Sequence, residues 1–147
     1  MSCDSQYGNE ITIPGTIIAS PNYPGSYDLG KDCRTTIKFD EKYRIRLEFL
    51  NMDIVHNVDR TNGGWKVSCD SEYIMIYDGS SDIPRPIVPR LCGYRNPKDV
   101  ESTGNMLHIL FHTDNDTLKY PGRFRDSRIS GFQIRVVQTG KIREYTS

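Results

Sequence analysis

Alanine, the strongest helix former, occurs only once in this chain of 147 residues, at Ala19. Long helices rarely do without it. An excess of charge is also missing, since 19 Lys and Arg balance 19 Asp and Glu. A dedicated nucleic-acid binder carries a clear basic surplus, so no nucleic-acid partner is expected. No apolar run approaches the roughly 18 residues needed to cross a bilayer, which excludes direct membrane insertion by a helix of this segment. The cysteines form no C-x-x-C pair, which argues against zinc knuckles and thioredoxin-like redox chemistry. There is no G-x-S-x-G elbow, no H-E-x-x-H and no phosphate-cradling glycine loop. His56, His108 and His112 are the only histidines, and four residues along a strand separate the last two by about 13 Å, too far for one metal ion. No enzyme is expected from this inventory. A leader is absent too: Met1-Ser2-Cys3 runs straight into polar sequence. Met1 is therefore read as a start placed on a trimmed mature domain whose export signal has been removed.

What the chain does have is β structure cut into short pieces. Tyr, Ile, Thr and Phe are plentiful, and eight prolines and twelve glycines punctuate the sequence. Period-two alternation marks Thr35–Phe39, Arg44–Phe49, Leu107–Phe111 and Phe132–Val136 as half-buried strands. Tyr73 to Tyr77 is apolar at every position, which predicts a central strand covered on both sides. Pro21-Asn22-Tyr23-Pro24-Gly25, Asn62-Gly63-Gly64 and Asp78-Gly79-Ser80-Ser81 are turn chemistry. Many short strands with such turns indicate an antiparallel sandwich or barrel. The length suits one compact domain, expected over 1–139, with a polar tail at 140–147.

Cys3, Cys33, Cys69 and Cys92 are the most informative residues. An even number of widely spaced cysteines suits two disulfides formed in an oxidising compartment, and so a secreted protein or the extracellular face of a cell. Four cysteines allow three pairings, and spacing alone does not choose among them. If neighbours pair, each bridge closes a loop of about 20–30 residues and stabilises by roughly 3 kcal/mol in the chain-entropy model.

An ordered set of motifs then resembles the CUB domain family. Cys3 is followed by Gly15-Thr16-Ile17-Ile18-Ala19-Ser20-Pro21-Asn22-Tyr23-Pro24, Tyr27 and Cys33. Cys69 leads into Tyr73-Ile74-Met75-Ile76-Tyr77-Asp78-Gly79 and Leu91-Cys92-Gly93, then Ser102-Thr103-Gly104-Asn105-Met106-Leu107, Phe111-His112-Thr113-Asp114 and Gly131-Phe132. The resemblance covers Cys3 to about Val137. It implies the pairings Cys3–Cys33 and Cys69–Cys92, and an all-β, two-sheet antiparallel, jelly-roll-like sandwich. It also implies a non-catalytic module that recognises an extracellular protein through loops at one end of the sandwich, within a larger secreted or membrane-tethered protein. A glycan- or heparin-binding protein similar to the spermadhesins and a regulatory domain of an extracellular protease are the alternatives.

The resemblance also raises calcium, which many CUB domains hold through a Glu, two Asp and nearby oxygens. Here the third acid matches Asp114 and the structural tyrosine matches Tyr27, but Val55 stands at the first acid and Glu72 at the second. Asp53, two residues before Val55, would share its face in a strand. No cofactor is expected; if calcium binds, Asp53, Glu72 and Asp114 are the carboxylates available, and each missing oxygen weakens the site. Two insertions, Val55–Ser68 and Asn115–Ser130, lengthen the domain where binding specificity tends to reside. The second carries a glycosylation sequon at Asn115. It also carries Tyr120, Arg123, Phe124, Arg125 and Arg128, the expected partner-binding residues. Arg85, Arg90, Arg95 and Lys98 form a second basic group around Cys92, interleaved with acids. Sulfated polysaccharide is the ligand such groups would suggest.

Overall fold

A computed structural model describes residues 1–4, 8–79, 85–114 and 130–141, and the side chains among them other than those of 57–61, 65–67 and 141. All elements among the described residues are strands: β1 (Ser2–Cys3), β2 (Asn9–Ile11), β3 (Ile17–Ala19), β4 (Asp32–Lys38), β5 (Tyr43–Asp53), β6 (Asn57–Thr61), β7 (Gly64–Ser68), β8 (Tyr73–Asp78), β9 (Arg85–Pro86), β10 (Val100–Glu101), β11 (Met106–His112) and β12 (Gly131–Lys141). One sheet has the order β1-β4-β11-β8-β9, with β2 also on β4; the other has the order β10-β5-β12-β3. The pairing is antiparallel except for β2, which runs parallel to β4. The two expected disulfides are present, Cys3–Cys33 and Cys69–Cys92.

The alternation in the sequence becomes the core. Ile37, Ile45, Leu47, Leu107, Ile109, Ile134 and Val136 are buried between the sheets together with Phe111 and Phe132. Each such side chain stabilises by roughly 1.5–3 kcal/mol relative to exposure. Phe111 sits edge-on between Tyr27 and Phe132, both at 5.0 Å.

Strand β5 departs from simple alternation. Against β12, Gln133 faces Asn51 but Ile134 faces Phe49, so Leu50 is an extra residue in β5. This bulge moves the inward set from Ile45, Leu47 and Phe49 to Met52 and Ile54. Two other expectations are corrected. Among the described residues Tyr73–Tyr77 is covered on one face only: Ile74 and Ile76 are fully buried, whereas Tyr73, Met75 and Tyr77 are half-buried on the outer face. The insertion at Val55–Ser68 is no open loop, because β6 and β7 pair as a hairpin with Thr61 opposite Gly64. Asn62-Gly63 turns that hairpin, a dipeptide suited to a tight turn between strands. Strand β12 also runs two residues into the stretch read as a tail, with Lys141 opposite Tyr43.

Candidate functional site

The first turn at the Tyr27 end of the sandwich is set by Pro21–Gly25, where Asn22 has a φ of 68° and the Tyr23–Pro24 bond is cis. The chain then carries Tyr27 into the core, 2% exposed. Its hydroxyl accepts the Val55 N–H at 3.0 Å. The two positions carried over from the CUB pattern are thus neighbours, and the one that would be acidic is apolar, buried and bound through its backbone. Thr113 fixes the adjoining loop: its Oγ1 accepts the Lys31 N–H at 2.8 Å, and its own N–H donates to Lys31 O at 2.9 Å.

The three acids do not converge. Asp53 accepts the Ser130 N–H at 3.0 Å and the Ser130 hydroxyl at 3.3 Å, which ties the end of β5 to the start of β12. Glu72 is fully buried. Asp114 accepts the Gly30 N–H on its backbone oxygen at 3.2 Å and lines a cavity with Gly30, Lys31, Asp32, His112 and Thr113. Lys31 in that lining is bound to Asp4 at 2.8 Å. That contact lowers the Asp4 carboxyl and raises the Lys31 ammonium from their ordinary values, through the hydrogen bond first and charge attraction beside it. Among the described residues no three His, Cys, Asp or Glu side chains gather closely enough to hold a metal ion. Among the described residues, an apolar side chain at the first position and acids that do not gather fall short of the six or more oxygens a hard cation needs.

Around the second disulfide lies a different surface. Ile54 and Gly93 pair by two backbone bonds, Ile54 N–H to Gly93 O at 2.9 Å and Gly93 N–H to Ile54 O at 3.0 Å. This brings His56 against Tyr94, with ring centroids 5.7 Å apart and planes inclined at 52°. The two rings, Cys92, Gly93 and Arg95 line an open groove of about 410 Å³, within the range of binding clefts. Tyr94 is 67% exposed. Farther along, the Arg90 guanidinium lies 4.0 Å from the Tyr73 ring centroid and bonds Cys69 O. Tyr73 in turn meets His112, whose Nδ1 is 2.6 Å from Asp32.

Tyr120, Arg123, Phe124, Arg125, Arg128 and the sequon at Asn115 lie outside the described residues. Of the second basic group, Arg90 is committed to Tyr73 and Cys69, while Arg95 faces the groove. Sequence reading missed His56 and Tyr94 as a pair. The available signal was Tyr94 itself, a large aromatic placed directly after Gly93 and before the turn-forming Arg95-Asn96-Pro97.

A family model described as CUB domain matches residues 3–125. Human Tolloid-like protein 1 is 33% identical over 112 residues, 76% of this chain and 10% of that protein. Human Neuropilin-2 is 32% identical over 104 residues, 71% of this chain and 11% of that protein. The crystal structure of the MASP-1 CUB2 domain bound to Ca2+ aligns at a TM-score of 0.65 and 26% identity, covering 89% of this chain and 98% of that one. The chain spans about a tenth of the length of these curated relatives.

Proposed function

Because this chain belongs to the CUB domain family, we propose that it is a non-catalytic extracellular module. It binds a protein partner through the end of the sandwich that carries Tyr27, Val55, His56 and Gly93–Arg95. The observation that carries this reading is the groove beside the Cys69–Cys92 bridge: a rigid backbone floor, two inclined rings and an exposed tyrosine. Exposed Tyr and Arg supply much of the energy at protein interfaces. The insertions 55–68 and 115–130 would extend the same surface, with Tyr120, Arg123, Phe124, Arg125 and Arg128 as added contacts and a glycan at Asn115. One domain, read as 1–139 from the sequence and extended to Lys141 by β12, is the unit we assign to this role. Calcium is bound by the MASP-1 domain; we infer that Val55 and the dispersed acids leave this chain without it.

The test is binding of fluorescently labelled, oxidised domain to intact cells after trypsin or after heparinase. Loss of binding with trypsin alone is the expected result. Loss with heparinase as well as with trypsin would replace the protein partner with a sulfated polysaccharide.

A further inference from the structure

Deepening that reading and resting on it, we propose that the His56–Tyr94–Arg95 groove takes an acidic side chain flanked by an aromatic one, presented by a peptide segment of the partner. The floor is backbone: Gly93, at a φ of +92° that suits glycine, is fixed there by its two bonds to Ile54. The wall is the His56–Tyr94 ring pair, against whose open edge and face a flat apolar group can pack. Arg95 is exposed and lines the groove, so its guanidinium is placed to meet a carboxylate with two parallel N–H donors.

Among the described residues no acid offsets the charge that lines the groove. Asp99, four residues after Arg95, is drawn to Arg46 at 3.9 Å, and Arg46 also holds Glu48 at 3.5 Å; Asp53, three residues before His56, is held by Ser130. Among the described residues Arg95 and the exposed Lys98 make no ion pair, and no acidic side chain lines the groove. This is the reverse of a site in which clustered acids hold a metal and receive a basic side chain. One cation beside an apolar cleft also favours a single carboxylate with an aromatic neighbour over a sulfated chain, which needs several cations in a row. Arg90, the next candidate for such a row, is turned onto Tyr73 and Cys69.

The probe is a tethered peptide of three Glu-Tyr-Glu-Gly repeats, compared with its Lys-Tyr-Lys-Gly counterpart by biolayer interferometry at low salt. The wild-type domain is expected to bind the acidic peptide and ignore the basic one. Arg95→Glu and Tyr94→Ala should each weaken binding by about tenfold or more, as truncation of an interface anchor does. Arg95→Lys should recover part of it. Unchanged melting temperatures in all three variants would assign the loss to the surface. The proposal is overturned if wild type fails to bind the acidic peptide, prefers the basic one, or binds it equally after Arg95→Glu. It is also overturned if soluble heparin is the ligand that these variants lose. Trypsin-sensitive cell binding that survives Arg95→Glu and Tyr94→Ala would sink the groove while leaving the protein-binding reading intact; absence of such binding in wild type would sink both.

Discussion

At the Ser102–Asn105 end of the sandwich, polar side chains turn onto the backbone and close it. Ser102 is 2% exposed; its Oγ accepts the Ile45 N–H at 2.8 Å and donates to Gly104 O. Asp78 accepts Thr103 through its N–H and, at 2.6 Å, its hydroxyl. Asn105 donates its amide to Phe39 O at 2.9 Å and accepts the Phe39 N–H on its backbone oxygen. At the Tyr27 end the same kinds of bond, from Ser20, Tyr27, Thr113 and Asp53, fix the bases of the loops. Large side chains, Tyr94, Arg95 and His56, then stand outward from that base. The two ends differ in what the bonds support: one end is finished by them, whereas the other is made rigid so that it can present a surface. Rigidity beneath a binding surface reduces the ordering cost of association.

The strongest way to break this comparison is to treat the presenting end as the softer one. Gly131, at φ +92°, lies against Ser20, and a Cβ added there would overlap Ser20 Oγ. That hydroxyl oxygen accepts the Phe132 N–H at 3.0 Å. Gly131→Ala is expected to cost about 3 kcal/mol from backbone strain and overpacking together. The melting temperature should fall by roughly 10 °C. A change of only a degree or two in a thermal melt would show that the base of the presenting end yields, against the comparison.

A smaller effect is expected at the closed end. Ser102→Ala leaves the buried Ile45 N–H without its acceptor, which costs about 1–3 kcal/mol. Its role is structural alone, so melting should fall while peptide binding at the far groove stays at the wild-type level. A loss of binding without a loss of stability would mean that the two ends are coupled, and the division drawn between them would fail.

How much of this was legible follows from what local sequence can report. Alternation reports burial, so β4, the first half of β5, β11 and the start of β12 could be read directly. The bulge at Leu50 could not: no glycine or proline marks it, and it exists only in the register against β12. Beyond it the parity of Met52 and Ile54 was hidden, and with it the reason Asp53 turns to Ser130. The Ser102-Thr103-Gly104-Asn105 motif was legible as a family pattern, but its bonds to Ile45, Asp78 and Phe39 join distant segments. The groove was illegible for the same reason, because His56 meets Tyr94 only through the pairing of Ile54 with Gly93. Tyr73 to Tyr77 misled because apolar side chains on an outer face can be covered by each other and by Arg90 instead of a second layer.

The smallest effect expected is none at all, and it bears directly on the presenting end. In a metal-holding version of this end, an acid at position 55 would contribute oxygens; here Val55 is buried and its N–H is bound to Tyr27. The loop is therefore fixed by a hydrogen bond that does not depend on any ion. Thermal melts of the oxidised domain in millimolar calcium and in chelator should superimpose. A ligand held only by the folded state would instead add roughly 2.7 kcal/mol at a hundred times its dissociation constant. A rise of that size would mean that oxygens beyond the described residues complete a shell around Asp114 or Glu72. The presenting end would then be an ion-ordered surface able to hold a basic side chain, and the acidic ligand inferred for the groove would have to compete with the opposite charge nearby. Superimposed curves keep the two ends alike in how they are fixed, by protein bonds alone, and different only in what they expose.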